Sequence, residues 1–257
     1  MSRRFEGRTT LVTGAGTGLG REIAIGFARE GADVVVHYRN SKDGADETAQ
    51  AVRALGQEAM TVQGDISSWA DVRRIAEEAF GHFGQIDSLV NNVGDMASHQ
   101  MSWRQLDEES LDRTLQVDIK GTMLMTHEFG QRMIGGRVGA SIVNIGSRVV
   151  VEGSPRAPQY AAAKYAVIGI TKSYAHAFAP TVRVNTLGPG FIETEALRQR
   201  EDWRNGRREE VLSRTPLHRI PQPSDVVPPV LFLASEDARH ITGAFLLCDG
   251  GHSMVGA

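Results

Sequence analysis

The chain has 257 residues, of which 41% are hydrophobic and 23% charged, with a formal net charge of −3. That balance fits a folded α/β protein and excludes a low-complexity chain or one drawn to nucleic acid by a basic surface. From the lone Cys248, the lack of any apolar run near the ~18 residues of a membrane span, and an N-terminal segment, Met1–Gly7, without an apolar stretch, a reducing, cytoplasmic setting is expected. Thr9–Thr13 reads as a short strand running into glycines. Gly20–Glu30 repeats apolar residues at helical spacing and stops at Gly31. Val34-Val35-Val36 is an unbroken apolar run, as in a strand covered on both faces. Asp43–Leu55 reads as a helix ended by Gly56, Ala59–Val62 as a strand, Ser68–Phe83 as a helix capped by Ser67 or Ser68, and Asp87–Asn91 as a strand. Leu106–Met133 is expected to be helical with an interruption near Gly121. Ser141–Ile145 and Val182–Leu187 are strands, separated by an alanine-rich helix over Pro158–Phe178. Ser224–Ala234 is helical, with Pro228-Pro229 expected to shorten or kink it. Ala244–Cys248 is the last strand.

Strands alternating with helices predict parallel βαβ units. Their crossovers are right-handed, which yields a Rossmann-type, doubly wound, mostly parallel seven-stranded sheet with helices on both faces. No linker or repeat divides the chain, so residues 1–257 are expected to form a single domain. Phe191–Arg219, charged and arginine-rich, has no place in the sheet and is expected to project from it as a lid. The eight histidines show no HExxH or paired Cys/His spacing, and no metal is expected.

Thr13-Gly14-Ala15-Gly16-Thr17-Gly18-Leu19-Gly20 lies between the first strand and the first helix. Glycines let the backbone turn tightly there, and a helix N-terminus offers free N–H groups to a pyrophosphate. The spacing of Gly14, Gly18 and Gly20 departs from GxGxxG and resembles the TGxxxGxG turn of the short-chain dehydrogenase/reductase family. Other segments resemble that family in the same order along the chain: Asp65-Ile66, Asn91-Asn92-Val93-Gly94, Ser147 with Tyr160 and Lys164, Pro189-Gly190 followed by Ile192 and Thr194, and Asp249-Gly250-Gly251. The resemblance implies an NAD(P)-dependent oxidoreductase that interconverts a carbonyl and a secondary alcohol. It also implies cofactor contacts at Gly14, Thr17, Gly18, Leu19, Gly20, Tyr38, Arg39, Asp65, Ile66, Asn92, Val93, Gly94, Tyr160, Lys164, Pro189, Gly190, Ile192 and Thr194.

Tyr160 and Lys164 stand four residues apart on the predicted helix and share a face. An isolated tyrosine ionises near pH ~10, and a nearby ammonium favours its phenolate. Tyr160 is therefore expected to pass a proton to or from the substrate oxygen, with Ser147, at the end of a strand, positioning that oxygen. By resemblance, Lys164 also holds the nicotinamide ribose. The family usually carries an asparagine where this chain has Asp118, within Val117–Gly121. By resemblance that asparagine holds a water linked to Lys164; an ionised aspartate accepts but cannot donate. Its charge is expected to stabilise the Lys164 ammonium and to offset part of the ammonium's field on Tyr160. The opposing reading, a nucleotide-binding regulator that has lost turnover, rests on Asp118 alone.

The end of the second strand reads Val36-His37-Tyr38-Arg39-Asn40 and lacks the carboxylate expected for a ribose 2′-hydroxyl. Arg39 suits a 2′-phosphate instead, so NADP(H) is expected over NAD(H), although Thr17 stands where NADPH-using relatives often carry a base. Candidate substrate-lining segments are Gly94–Trp103, Val149–Gln159 and Phe191–Arg214. Trp103 and Trp203 either wall a pocket or serve in packing. Arg198, Arg200, Arg204, Arg207 and Arg208 either face an acidic carrier protein or belong to a mixed-charge helix. The motifs look most like the 3-oxoacyl-(acyl-carrier-protein) reductase branch, with sugars, polyols and other small alcohols as alternative substrates. By resemblance the chain forms a homotetramer through its two long helices and last strand.

Overall fold

The computed structural model describes residues 3–95 and 102–254. Its strands are β1 (Thr9–Val12), β2 (Asp33–Tyr38), β3 (Ala59–Gln63), β4 (Ser88–Asn91), β5 (Ala140–Ile145), β6 (Val182–Pro189) and β7 (Phe245–Cys248). They form one wholly parallel sheet in the order β3-β2-β1-β4-β5-β6-β7. The helices in chain order are α1 (Gly18–Arg29), α2 (Lys42–Ala54), α3 (Trp69–Phe83), α4 (Glu108–Thr114), α5 (Thr122–Ile134), α6 (Val149–Glu152), α7 (Pro158–Phe178), α8 (Glu195–Arg198), α9 (Arg208–Arg214) and α10 (Pro223–Ala234).

Successive strand residues alternate between two apolar layers, as the period of two requires. Val34 and Val36 join Ile23 and Phe27 of α1, Val52 of α2 and Val230 of α10. Val35 and Leu11 join Ile75 of α3, Phe129 of α5 and Phe178 of α7. Both faces of the sheet are therefore covered, which explains why its central strands read as continuous apolar runs rather than as alternating ones.

Two expectations are corrected. The helix around Gly121 is not interrupted: α4 starts at Glu108, where the Asp107 carboxylate accepts the Ser110 N–H at 2.8 Å, and continues through a π turn (Leu115–Gly121) into α5. Gly121 serves close packing, since a Cβ there would lie 2.7 Å from the Ile66 side chain. Pro228-Pro229 do not shorten α10, which runs from Pro223 to Ala234. Val226, Val227, Val230 and Leu231 are all buried against the core, and Gly26 lets α1 and α10 approach closely. That burial outweighs the backbone hydrogen bonds the prolines cannot make.

Candidate active site

The strand order reverses between β1 and β4, and a parallel sheet opens a crevice at the carboxyl ends of such a pair. The glycine turn leaves β1 there, and Asn92-Val93-Gly94 leaves β4. Gly14 and Gly18 hold φ of +64° and +54°, the left-handed region that favours glycine. A Cβ on Gly20 would lie 2.4 Å from the Gly14 carbonyl oxygen. The two loops are stitched together: Thr13 Oγ1 accepts the N–H of Asn92 at 2.9 Å and of Val93 at 3.1 Å, while Asn92 Nδ2 donates to the Thr13 carbonyl at 2.9 Å. They border a cleft of about 340 Å³ lined by Gly14, Arg39, Asp65, Ile66, Val93 and Gly94 among others. A tight glycine turn at the start of a 12-residue helix, beside such a cleft, fits a dinucleotide's pyrophosphate and adenosine half.

Arg39 and Asp65 face each other across the lip of this cleft at 3.2 Å. Burial opposes the Asp65 charge, but hydrogen bonds from Ser67 and the Arg39 guanidinium hold its carboxyl below the ordinary range. Tyr38, expected at the cofactor, instead has its side chain buried in the core layer of α1 and α2, because alternation along β2 turns it away from the cleft. Leu19 and Ile192 pack on the same layer, and Thr17 is exposed at the N-terminus of α1. The Gly190 N–H donates to the Cys248 carbonyl at 3.0 Å, so Pro189-Gly190 is anchored to β7. Thr194 caps α8 by accepting the Leu197 N–H at 3.2 Å, and its methyl lies 3.9 Å from where a Gly18 Cβ would be. The start of the segment after β6 thus lies beside the glycine turn.

Packing of α7 against the π turn brings Lys164 to Asp118, with the Tyr160 ring one turn away, while Ser147 is buried just past the end of β5. Lys164, 4% exposed, pairs with the fully buried Asp118 at 2.6 Å and reaches the Ile145 carbonyl at 3.3 Å. Its Nζ lies 5.6 Å from the Tyr160 ring centroid. The contact with Ile145 sets the end of β5, and with it the buried Ser147, beside α7. Burial opposes the Lys164 ammonium, but the Asp118 carboxylate prevails, with Tyr160 adding to it, and holds its pKa above the ordinary value. The other Asp118 oxygen accepts the Asp95 N–H at 2.6 Å, and the Asp95 carboxylate accepts from Arg113 at 2.9 Å and Thr114 at 3.2 Å. Asp118 lies in the middle of the π turn, and it is buried there.

The segment after β6 is tied down by ion pairs. Asp202 joins Arg156, ahead of α7, at 2.7 Å and Arg200 at 2.9 Å; with Arg200 donating most strongly against burial, its carboxyl is held down at about 2. Glu193 accepts from Arg208 at 2.7 Å and from Gln222 at 2.8 Å. Arg207 pairs with Glu210 at 2.9 Å, which matches the mixed-charge reading of this segment. Trp203 does not wall a pocket: it is 3% exposed and packs with Phe191, Val211 and Ile220. Trp103 is exposed beneath the Arg104 guanidinium. Residues 96–101 of the expected lining Gly94–Trp103 lie outside the described residues. Arg148, next to Ser147, stacks 4.2 Å over Phe191 and pairs with Glu152.

His37 and Thr13, which hydrogen-bond the loops at the cleft, were not among the residues expected there. The signal for His37 is a polar side chain closing the doubly buried run Val34-Val35-Val36, a position where each ring nitrogen must find a partner.

A family model described as enoyl-(acyl carrier protein) reductase matches residues 14–253. L-rhamnose 1-dehydrogenase (NAD(P)(+)) from Sphingomonas sp. (strain SKA58) is 36% identical over 96% of this chain and 96% of its own length. The 3-oxoacyl-(acyl-carrier-protein) reductase FabG of Staphylococcus epidermidis is 33% identical over 96% of this chain and 99% of its own. Among solved structures, a short chain dehydrogenase from Burkholderia cenocepacia J2315 in complex with NADP superposes with a TM-score of 0.88 at 29% identity, covering 97% of this chain and 99% of that one. Together with the sheet order, the glycine turn and the Tyr160–Lys164 helix, these matches show that the chain belongs to the short-chain dehydrogenase/reductase family and is an NAD(P)-dependent oxidoreductase.

Proposed function

We propose that the protein interconverts a ketone and a secondary alcohol with NADP(H), using Tyr160 as the acid/base group. The observation that carries this reading is the buried Lys164 ammonium, paired to Asp118 and 5.6 Å from the Tyr160 ring, at the end of β5 where Ser147 lies. When bound, the nicotinamide supplies or accepts the hydride. Tyr160 gives its proton to the carbonyl oxygen in reduction and takes the alcohol proton in oxidation. Ser147 hydrogen-bonds that oxygen, and Lys164 keeps a positive charge beside the phenol. Arg39 at the lip of the cleft, with no carboxylate on the end of β2 itself, supports a 2′-phosphate ligand.

For the substrate, a 3-oxoacyl thioester is the first reading, supported by the named reductase relatives. The second, a sugar or polyol, is supported by the L-rhamnose 1-dehydrogenase relative. Subunit contacts of a homotetramer fall on the α5 and α7 faces, where Met123 and Tyr165 are exposed; a monomer in sedimentation refutes that placement. The test of function combines separate NADPH and NADH titrations with assays on acetoacetyl thioester and on an aldose and polyol panel. Tyr160→Phe is expected to lower kcat by ~10³-fold or more while leaving cofactor binding nearly intact. Equal activity in that variant refutes the acid/base role, and tighter NADH binding refutes the role of Arg39.

A further inference from the structure

We propose that His37 is a positioning residue that locks the two walls of the cofactor cleft together, holding the glycine turn through Nδ1 and the loop before Asp65 through Nε2. The side chain is 1% exposed and lies near the end of β2, on the border of the cleft. The Gly14 N–H can only donate, so Nδ1, at 3.2 Å, must accept. The single proton of the neutral ring is then on Nε2, which donates to the Gly64 carbonyl at 3.0 Å. The backbone of β2 grips the same two loops: the Ala15 N–H donates to the His37 carbonyl at 2.9 Å, and the Gly64 N–H to the Tyr38 carbonyl at 3.0 Å.

The charged groups facing the ring are Asp65 and Asp71, opposed by Arg74; burial outweighs them and keeps the imidazole neutral down to about pH 4. An acceptor therefore always faces Gly14. An apolar replacement would leave a buried N–H and a buried carbonyl unpaired on opposite walls. Gly14 opens the turn meant for the pyrophosphate, and Gly64 precedes the Asp65-Ile66 wall of the cleft. Their relative placement therefore sets how well the cleft is formed before the cofactor arrives.

This inference rests on assigning the cleft to the dinucleotide, and the experiment separates the two. NADPH and NADH are titrated by fluorescence against the full-length wild type, His37→Phe and His37→Asn, with kcat measured at saturating cofactor. His37→Phe is expected to weaken cofactor binding by roughly tenfold or more, with kcat at saturation within about threefold of wild type. His37→Asn, whose carboxamide both accepts and donates, is expected to recover most of the affinity. A folded His37→Phe with wild-type affinity overturns the proposal, and so does a lowered Tm with unchanged affinity. If His37→Phe does not fold, nitrogen NMR of the wild-type imidazole decides: a neutral Nε2–H ring at pH 7 supports the lock, and an Nδ1–H ring or an imidazolium overturns it. Wild-type protein that binds neither nucleotide overturns the cleft assignment and this inference together.

Discussion

Asp118→Asn restores the residue that relatives usually carry, and its effect can be sized from two distances. The Asp118 carboxylate oxygen lies 2.6 Å from Lys164 Nζ, itself 5.6 Å from the Tyr160 ring centroid, so laid end to end they put the carboxylate within about 8 Å of the ring. At an effective dielectric of ~20, a unit charge at ~8 Å acts on the phenolate with ~2 kcal/mol. The carboxylate repels the phenolate, so in the wild type it cancels part of the attraction from Lys164. Asp118→Asn is therefore expected to move the rising limb of the pH profile for alcohol oxidation toward acid, with the reductive direction losing rate at high pH. The assay is kcat against pH in both directions at saturating cofactor, with Tm followed in parallel. An alkaline displacement of the limb would refute the reasoning. It would mean that Lys164, buried and stripped of its partner, had given up its proton and withdrawn the cation that supports Tyr160.

Two further outcomes follow from the packing and from the buried histidine. A Cβ on Gly26 would lie 2.3 Å from Val227 Cγ1, and a buried valine has little rotamer freedom to yield, so Gly26→Ala is expected to cost ~1–3 kcal/mol despite its better helix propensity; a raised Tm by thermal melt contradicts this packing. Burial lowers the His37 pKa from 6.5 to about 4, so between those values the unfolded chain binds a proton that the folded chain does not. Stability from this residue is complete above pH 6.5 and is lost as pH falls toward 4, by ~3 kcal/mol in all. Urea unfolding across that range should show the loss, and His37→Asn should flatten it; an unchanged slope in the variant counts against the assignment.

The sequence by itself determined the strand and helix succession and the parallel sheet, and put Tyr160 and Lys164 on one helix face, while Ser147 joined them only through the family resemblance. These depend on local quantities: apolar runs for strands covered on both faces, a period of 3.6 for helices, glycines where φ is positive, and a fixed four-residue offset on one helix face. Tertiary structure alone decided the rest, because each remaining feature depends on residues distant in the chain. Pro228-Pro229 read as a break until α10 was seen packed on Gly26 of α1. Gly121 read as an interruption, although its lack of a side chain serves Ile66, 55 residues earlier. Trp203 was open between pocket wall and packing until Phe191, Val211 and Ile220 closed around it. Arg39 read as a candidate phosphate ligand, and only the fold revealed that Asp65, just past the neighbouring strand β3, already pairs with it. His37 carried a signal of need, a polar ring in a buried strand, but its partners Gly14 and Gly64 lie at the ends of β1 and β3. Only the sheet, by placing β2 between those strands, makes one side chain bridge them.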